Sequence, residues 1–391
     1  MTTTPAPADE ATFQAAAAAG SDWGPTVKSC LESLGPVEGC TLGFLYLTDA
    51  LADQATSIVT LLRGVTGIPH WVGTTGIGVC ANGHTLFDEP GMAVMAARLP
   101  PESFHLFPML TEGLEPLRRK AGPWLDRHGS SLALVHADPR TKNLAGLVST
   151  LSEETGSFLV GGLSASRGSF PQFTMPGGTG TGAGTAGPVA EGGVSGVLFA
   201  PDLPVATAHT QGCVPIGPAR SITAADGDKV LEIDGRPALE IFKQDIGPDL
   251  AADLPRVAGL IFAGLPITGS DTGDYLVRDL VAIDPRAGWI SIAEEVRTGQ
   301  PILFTRRDRA SAEADMRRML AALKKRVSTR PKGAIYVSCI ARGPSLFGSG
   351  DNELALIREA FGPIPLVGFY AAGEISHQRL YGYTGVLTLF L

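Results

Sequence analysis

The sequence has little cysteine, and the few cysteines lie far apart. Its 391 residues include five, an odd number, and no two of them have the spacing of a zinc-binding pair. A disulfide framework or a structural metal site is therefore not expected. The five are Cys30, Cys40, Cys80, Cys213 and Cys339.

The chain also lacks a long apolar run and an excess of basic residues. No stretch reaches the roughly 18 apolar residues that a membrane span needs. The start, Met1 to Gly20, lacks the basic and apolar regions of a signal peptide. The formal net charge is −8, which argues against nucleic acid or an acidic membrane as a partner. We expect a soluble, cytoplasmic protein whose first 20 or so residues form a frayed tail.

Motifs of several enzyme classes are missing as well. The sequence has no Walker motif, no G-x-S-x-G elbow and no Cys-x-x-Cys-His pattern of attached haem. One G-x-G-x-x-G match, Gly182 to Gly187, lies within a Gly-rich segment and precedes Pro188. A dinucleotide site needs a strand before this motif and a helix after it, so a mobile loop or long hairpin is the better interpretation. These absences weaken the case for an enzyme.

One pattern is present three times: an apolar strand, a helix, and a second strand that ends in Val-Gly. A crossover helix between apolar strands predicts parallel, right-handed pairing. The three Val-Gly loops should then lie at the carboxyl ends of strands, where open α/β sheets bind ligands. The predicted units are Leu42–Leu47, Leu51–Val65 and His70–Gly73; Leu132–His136, Leu144–Leu151 and Phe158–Gly161; and Ala334–Cys339, Asn352–Phe361 and Pro365–Gly368.

These elements predict an α/β fold with mixed α+β elements, in two parts, with sheets flanked by helices. A tail and a short helix would occupy residues 1–37, a first domain residues 38–226 and a second domain residues 227–391. Alternation and turn residues predict that Val194–Ala200 and Pro204–Thr210 form a hairpin, and that Tyr275–Ile283 forms one strand.

Several motifs resemble those of one protein family. Read in order along the chain, they are similar to the N-terminal and C-terminal halves of FIST proteins, over about residues 38 to 391. The first unit departs from the family, because Gly73 to Gly78 replaces a Gly-x-Ser-x-Ala-Gly-Glu-like run. The matching segments are Gly161–Ser164, Gln211–Pro218, Ile222–Thr223, Val277–Asp279, Arg307–Asp308, Ser338–Gly343, Gly368–Ile375 and Tyr383–Gly385.

The resemblance implies a FIST N-type domain over residues 38–226 and a FIST C-type domain over residues 227–391. It implies a bacterial sensory protein of signal transduction that binds a small polar metabolite, with an amino acid as the expected ligand. Some family members carry attached output domains. This chain has no room for one, so we expect a separate signalling protein as its partner. Some bacterial members are described as haem-based nitric-oxide sensors, which leaves a haem alternative.

An amino acid carries a carboxylate and an ammonium group on one carbon, so its site needs opposed charges and close backbone groups. Arg278 suits the carboxylate and Glu374 suits the ammonium group. Gly368 and Gly373 would permit close backbone approach, and Tyr370 would supply a wall with a polar tip. The alternative for Glu374 is a structural carboxylate that fixes its loop.

Two further sets of residues define the alternatives. Cys339 ends a strand beside a loop that contains Arg342, and a nearby cation could make the thiol a reactive nucleophile in an enzyme. The other interpretation of Cys339 is a small buried hydrophobe. His209 and His377 lie near predicted strand ends and are the candidate axial ligands if haem is bound. Outside the haem alternative, no cofactor or metal is expected.

Overall fold

The computed structural model describes residues 12–177, 189–267 and 274–391, and these form nine α-helices and 27 strands. The helices are α1 (Trp23–Leu34), α2 (Ala55–Thr66), α3 (Glu115–His128), α4 (Leu144–Thr155), α5 (Ala238–Ile246), α6 (Pro248–Ala251), α7 (Arg309–Arg326), α8 (Gly343–Phe347) and α9 (Asp351–Phe361). The strands are β1 (Thr12–Ala19), β2 (Leu42–Thr48), β3 (His70–Gly76), β4 (Gly78–Ala81), β5 (His84–Phe87), β6 (Gly91–Arg98), β7 (Phe104–Leu110), β8 (Leu132–Ala137), β9 (Phe158–Leu163), β10 (Gln172–Met175), β11 (Val189–Ala190), β12 (Val194–Phe199), β13 (Val205–Gln211), β14 (Cys213–Pro215), β15 (Arg220–Asp226), β16 (Lys229–Ile233), β17 (Arg236–Pro237), β18 (Ile261–Pro266), β19 (Tyr275–Arg278), β20 (Leu280–Asp284), β21 (Trp289–Ile292), β22 (Pro301–Arg307), β23 (Gly333–Cys339), β24 (Leu366–Ala371), β25 (Glu374–Ser376), β26 (Arg379–Tyr381) and β27 (Thr384–Phe390).

The chain divides into two compact units that are not continuous in sequence. The first holds the described residues up to Thr210 together with Arg317–Leu380 and Thr384–Leu391. The second holds Gln211–Met316 and Tyr381–Tyr383. The second unit is therefore an insertion in the sequence of the first, whereas the predicted domains are continuous segments. The predicted boundary near residue 226 stays a prediction.

The first unit repeats one order of elements three times: strand, helix, strand, helix and then four strands. The first repeat is β1–α1–β2–α2–β3–β4–β5–β6, and the second is β7–α3–β8–α4–β9–β10–β11–β12. The third is β13–α7–β23–α9–β24–β25–β26–β27, with the second unit inserted after β13 and the short α8 before α9. The three predicted strand–helix–strand units are confirmed, because each forms the centre of one repeat.

The three repeats exchange strands in a closed cycle. Each sheet combines four strands of one repeat with two strands of another, so separating the repeats would break all three sheets. The sheet orders are β1-β6-β2-β3-β10-β11, β7-β12-β8-β9-β25-β26 and β13-β27-β23-β24-β4-β5.

The central strand pair of each repeat is parallel, as the crossover helices predict. These pairs are β2 with β3, β8 with β9, and β23 with β24. Each crossover helix buries an apolar stripe that suits packing on a sheet, such as Leu147, Val148 and Leu151 of α4. In α2 the helix ends at Gly67, whose φ of 68° is the left-handed conformation that glycine adopts at a helix end.

The Val-Gly pairs lie inside strands and not in loops, which corrects the prediction. β3, β9 and β24 continue for two or three residues beyond the glycine. At each glycine the partner strand passes so close that a Cβ atom would collide with a backbone carbonyl oxygen, so only glycine fits. The collisions are Gly73 with Leu45 (1.7 Å), Gly161 with Val135 (1.9 Å) and Gly368 with Tyr336 (1.8 Å).

Two other predictions need correction in the first unit. Thr12–Ala19 is not a frayed tail but the strand β1, paired antiparallel with β6. Phe13 stacks on Phe390 with ring centroids 4.9 Å apart, so tertiary packing overrides the low strand propensity of alanine. The predicted hairpin of Val194–Ala200 with Pro204–Thr210 does not form, because β12 lies between β7 and β8 while β13 pairs with β27.

The second unit contains a nine-stranded sheet. Seven of its strands follow the path β19-β18-β22-β15-β16-β21-β20, while β14 pairs with β22 and β17 pairs with β16 beside this path. The core of the unit includes side chains of α5. The antiparallel pair β15 and β16 forms a hairpin that turns near Asp226. The predicted strand Tyr275–Ile283 is two strands instead, because β19 pairs with β18 and β20 pairs with β21. The sequence analysis did not identify β18.

The G-x-G-x-x-G match lies outside the described residues, so its predicted loop conformation stays a prediction. The flanking strands β10 and β11 pair antiparallel. Among the helices that the structure describes, none has the length and apolar character of a membrane span.

Candidate functional site

Glu374 is the first residue of β25 and is completely buried. Its Oε2 accepts hydrogen bonds from the backbone N of Thr384 at 3.1 Å and from the Thr384 hydroxyl at 2.6 Å. Its Oε1 accepts no hydrogen bond from any residue in the described part of the chain. A buried carboxyl oxygen without a donor is costly, so this atom is the first indication of a ligand.

The surroundings of Glu374 favour its protonated form. Burial raises the pKa of this carboxyl from its ordinary 4.5 to about 8, although the Thr384 hydrogen bonds, Arg342 and the Cys339 side chain each act to lower it. Desolvation penalises the ionised form because the buried charge loses its hydration. Neutral pH therefore favours a proton on Glu374 in the free protein.

A second buried carboxylate, Glu353, binds Arg342. Both side chains are 0% exposed, and Arg342 Nε donates to Glu353 Oε1 at 2.9 Å. Tyr336 donates to the same oxygen at 2.8 Å, and Ser338 donates to Oε2 at 3.0 Å. The Arg342 guanidinium also lies over the Phe347 ring at 5.1 Å. Both oxygens of Glu353 are therefore satisfied, unlike those of Glu374.

Strand geometry brings these groups to the carboxyl end of β23 and β24. Cys339, the last residue of β23, is opposite Ala371, the last residue of β24. The chain then turns through Arg342 into α8, and α9 follows with Glu353 in its first turn. Glu353 is three and four positions before Leu356 and Ile357, which places it on their apolar helix face.

Tyr370 is buried on the side of β24 that faces α8. Its ring meets Phe87 edge to face at 4.9 Å, and a Cβ on Gly343 would lie 3.1 Å from it. Its hydroxyl donates to the carbonyl of Gly350 at 3.3 Å. Because Tyr370 is enclosed by other side chains, its observed role is packing around the Arg342–Glu353 pair.

The two predicted glycines have different positions. Gly368 lies within β24, where the collision with Tyr336 explains the absence of a side chain. Gly373 lies in the turn between β24 and β25, and its carbonyl accepts a hydrogen bond from Leu163 N at 2.8 Å. Gly373 therefore ties the turn that precedes Glu374 to β9.

Arg278 belongs to the second unit, in β19. Its Nε donates to Glu294 Oε2 at 2.6 Å, and the Arg278 side chain is 17% exposed. Cys339, Arg342, Tyr370, Gly373 and Glu374 are grouped in the third repeat of the first unit. Sequence reasoning missed their partners Glu353, Tyr336, Ser338 and Thr384, although Glu353 could have been noticed as a lone carboxylate on an apolar helix face.

The two histidines of the haem alternative lie in different environments. His377 is exposed, lies in a turn with φ of 57° and stacks on Phe158 at 5.2 Å. An axial ligand needs an apolar enclosure, which an exposed turn does not provide. His209 is half-buried in β13. Among the described residues, no group of three or more His, Cys, Asp or Glu side chains could hold a metal ion.

Cys339 is 5% exposed, and its side chain acts to lower the pKa of the Glu374 carboxyl. Because burial raises that pKa to about 8, neutral pH disfavours the ionised form that could serve as the base of a cysteine nucleophile. This arrangement gives no support to the enzyme alternative. It fits the interpretation of Cys339 as a small buried side chain.

A surface groove of about 330 Å³ lies elsewhere in the third repeat. It is lined by Asn82, Leu354, Ile357, Arg358 and Ile364, among others. This groove lies at the amino end of β24, whereas Glu374 follows the carboxyl end. It is therefore not part of the cluster around Glu374.

The repeats provide internal counterparts of Glu374. Glu374 is opposite Gly162 of its partner strand β9. Gly162 directly follows Gly161, the close-approach glycine of the Val-Gly pair in that strand. In the first sheet Gln172 holds the same position opposite Thr74, and in the third sheet Val79 holds it opposite Phe369. One backbone position thus carries a valine, a glutamine and a glutamate in the three sheets.

The fold and this cluster define an α/β repeat protein with an inserted unit and a buried ionisable centre in the third repeat. Comparison with known proteins identifies the family. A model described as the FIST N domain matches residues 41–236, and one described as the FIST C domain matches residues 238–377. The chain belongs to the FIST family, and this membership indicates a sensory role in signal transduction.

Relatives of similar length occur in mycobacteria. The uncharacterized protein Rv0628c of Mycobacterium tuberculosis is 30% identical over 354 residues, which cover 87% of this chain and 88% of that protein. The uncharacterized protein Mb0898c of Mycobacterium bovis is 30% identical over 368 residues, which cover 90% of this chain and 91% of that protein. Their names assign no ligand or partner.

Proposed function

We propose that this protein is a non-catalytic sensor that binds a small polar metabolite with a protonated amino group, most simply an amino acid. The ammonium group would bind at Oε1 of Glu374. The bound state would be read by a separate signalling protein in the cytoplasm. Cys339, Arg342, Tyr370 and Gly373 form the neighbourhood of this site.

The single observation that carries the proposal is the Oε1 atom of Glu374, buried and without a donor. The counterpart Gln172 shows that the fold can satisfy a polar side chain at this position completely. Its Nε2 donates to the carbonyl of Gly193 at 2.9 Å, and its Oε1 accepts from Ser195 at 2.8 Å. If the side chain at this position had only a structural role, a glutamine with such partners would be sufficient. A carboxyl group with one open acceptor suits an ammonium donor.

The route to Glu374 is short. Ala372 is exposed, Ile340 is 37% exposed, and both lie beside the last residues of the central strands. Ile340 N donates to the Ala371 carbonyl at 2.9 Å, and Ala372 N donates to the Leu163 carbonyl at 3.1 Å. Opening these two loops would expose Glu374 while the sheets stay intact. The proposal includes this movement because the carboxyl itself is fully buried.

The proposed site does not need Arg278, which the sequence analysis predicts as the cation opposite Glu374. Arg278 has a partner in Glu294, and Gly368 has a steric explanation within its strand. The proposed site therefore depends on Glu374 and its neighbours in the third repeat.

The test is a thermal-shift panel of the common amino acids and simple amines on three proteins: wild type, Glu374→Gln and the control Glu359→Gln. Glu359 carries the same chemical group in an exposed ion pair with Arg317. A ligand at a hundred times its Kd stabilises the fold by about 2.7 kcal/mol. For a chain of this size that is a Tm increase of roughly 5 °C.

We expect a hit that shifts the wild type and the control but not Glu374→Gln. A hit that shifts all three proteins equally would place the site elsewhere. If no compound shifts the wild type, and the purified protein shows a haem absorption band, the proposal is wrong and the haem alternative replaces it.

A further inference from the structure

The surface groove at the amino end of β24 has an apolar lining. Leu354 and Ile357 come from α9, and Ile364 and Leu366 come from the segment that leads into β24. Each of these four side chains is at most 8% exposed, so they belong to the core and present only a small apolar surface to the groove. The volume of about 330 Å³ lies within the range of small-molecule sites, about 300–1,000 Å³.

The first sheet shows why the groove is open in the third. There β10 lies beside β3, and the chain continues past the start of β3, where Gly177 N donates to His70 Nδ1 at 2.8 Å. In the third sheet β4 takes the place of β10 beside β24, but the chain turns back at Asn82 and Gly83, with φ of 51° and 94°. A Cβ atom on Gly83 or on Gly362 would meet no described atom within 4 Å. The turn therefore leaves free space where the first sheet is covered.

Arg358 is the charged residue in the lining of this groove. It is exposed on α9, and no acidic residue lies three or four positions before or after it, where a helix would bring the two side chains together. Within the described part of the chain, the Arg358 guanidinium has no hydrogen-bond acceptor and no ion-pair partner. The adjacent carboxylate, Glu359, binds Arg317 instead, at 2.9 Å.

A second cation lies beside the groove. Arg330 donates to the carbonyl of the lining residue Pro363 at 2.6 Å. Its charge offsets the partial negative charge at the carboxyl end of α9, which ends at Phe361. The segment that contains Arg330, residues 317–332, has seven Lys and Arg residues and no Asp or Glu, although the whole chain has a net charge of −8. This local excess of positive charge favours an anionic ligand.

We infer that the groove binds a small organic acid with one carboxylate and a short apolar tail. The carboxylate pairs with the Arg358 guanidinium, whose planar N–H groups match the two carboxylate oxygens. The tail lies against the apolar lining from α9 and Ile364, where it leaves water. This inference does not rest on the proposed function, because Glu374 follows the opposite, carboxyl end of β24.

The experiment is isothermal titration calorimetry at about neutral pH, where simple carboxylic acids are ionised. The probes are the sodium salts of acetic, butanoic, hexanoic and octanoic acid. Hexylamine and 1-hexanol have the same tail as hexanoate with a cationic or a neutral head, and inorganic phosphate is an anion without a tail. The proteins are wild type, Arg358→Gln and the control Arg286→Gln, which removes an exposed guanidinium of the second unit.

We expect hexanoate to bind wild type and Arg286→Gln equally, and Arg358→Gln roughly ten-fold or more weakly, because the variant loses a charge-assisted hydrogen bond. Between acetate and hexanoate, the affinity should rise about four-fold for each added methylene group, as expected for burial of the tail. Hexylamine, 1-hexanol and phosphate should each bind at least about ten-fold more weakly than hexanoate. In the NMR spectrum of wild type, hexanoate should shift the amide signals of Gly83 and Gly362.

Four results would overturn the inference. If none of the acids binds at millimolar concentration, the groove is not a site for them. If Arg358→Gln binds hexanoate as tightly as wild type, or if the two glycine signals do not move, the acid binds elsewhere. If acetate or phosphate binds as tightly as hexanoate, the guanidinium holds an anion at the surface and the apolar lining is not used. If hexylamine or 1-hexanol binds as tightly as hexanoate, the site does not select a carboxylate.

Discussion

Gln172 and Glu374 occupy equivalent positions in two sheets of the first unit, yet their hydrogen bonding differs. Both follow a central strand pair, both are buried, and both bind the segment that starts the last strand of their own repeat. Gln172 has a partner at each amide atom, whereas Glu374 has partners at only one oxygen. The backbone therefore does not require a carboxyl group at this position, and the carboxyl group in the third repeat needs another explanation.

The first repeat extends the comparison. Its counterpart, Val79, is fully buried in the core between sheets. The scaffold thus accepts an apolar, a neutral polar and an ionisable side chain at one position. The ionisable one lies beside the buried pair of Arg342 with Glu353, whose side chains are both 0% exposed. Near Gln172 the buried Asp138 pairs instead with Arg140, whose side chain is 53% exposed.

Removing the Arg342 guanidinium should have the largest effect on the stability of the third repeat. Arg342→Met leaves Glu353 buried without its cation, and breaking a buried pair in this way costs about 3–5 kcal/mol. The control is Arg317→Met, which removes an exposed partner of Glu359 and should change the free energy of unfolding by less than about 1 kcal/mol. Urea unfolding at neutral pH measures both. Equal, small effects would show that the Arg342 pair contributes little.

The equivalence of the repeats can be tested at the three close-approach glycines. Gly73→Ala, Gly161→Ala and Gly368→Ala each place a methyl group within 2 Å of a backbone oxygen, so each should cost roughly 2–3 kcal/mol or more. Gly64→Ala, at an exposed helix position with open space, should instead stabilise by about 0.5–1 kcal/mol. Denaturant midpoints decide the matter. If the alanine variant at one of the three positions is as stable as the wild type, that repeat does not share the close approach of its central strands.

Placing a glutamate at Gln172, the second-repeat counterpart of Glu374, should destabilise the protein by a smaller amount. Gln172→Glu loses the donor to the Gly193 carbonyl and sets an oxygen against it, which should cost about 2 kcal/mol at neutral pH. The reverse change, Glu374→Gln, replaces a protonated carboxyl by an amide of the same shape and should alter stability by less than about 1 kcal/mol below about pH 4.5, where the folded and unfolded states both hold the proton. If both changes cost the same, the two positions do not differ as described.

The pH dependence of unfolding tests the raised pKa of Glu374. The folded pKa of Glu374 is raised from 4.5 to about 8, so between these values the folded state holds one proton that the unfolded state has released. The contribution of Glu374 to stability is therefore fully present below about pH 4.5 and is lost as the pH rises to about 8. The slope should be about 1.4 kcal/mol per pH unit. Glu374→Gln should lack this slope, and Glu359→Gln should keep it; identical slopes in all three proteins would contradict the raised pKa.

The sequence predicted the local parts of the fold because they depend on local patterns. The three strand–helix–strand units follow from apolar runs and Val-Gly, and all three have the predicted parallel strands. The exchange of strands does not follow from them, because β4 and β25 pair with strands more than 200 residues away. The insertion of the second unit could not be predicted either, because no change of composition marks residue 211 or residue 316.

The candidate site was predictable in the same partial way. Glu374 was identifiable as a carboxylate after a strand-end glycine. Its lack of a donor at Oε1 depends on where Thr384 and Arg342 come to lie, which is a tertiary property. Arg278, a cation in an apolar strand that could bind a carboxylate bidentately, is predicted as the opposing charge, and the structure gives it a partner in Glu294.

The central claim is that the carboxyl of Glu374 holds a proton at neutral pH because its complete burial disfavours the ionised form. Infrared spectroscopy measures this directly through the carbonyl band of a protonated carboxylic acid, taken as the difference between wild type and Glu374→Gln. We predict one such band at about neutral pH that disappears with a midpoint near 8. A wild-type spectrum without this band from about pH 6 upward, indistinguishable from that of the variant, would contradict the account.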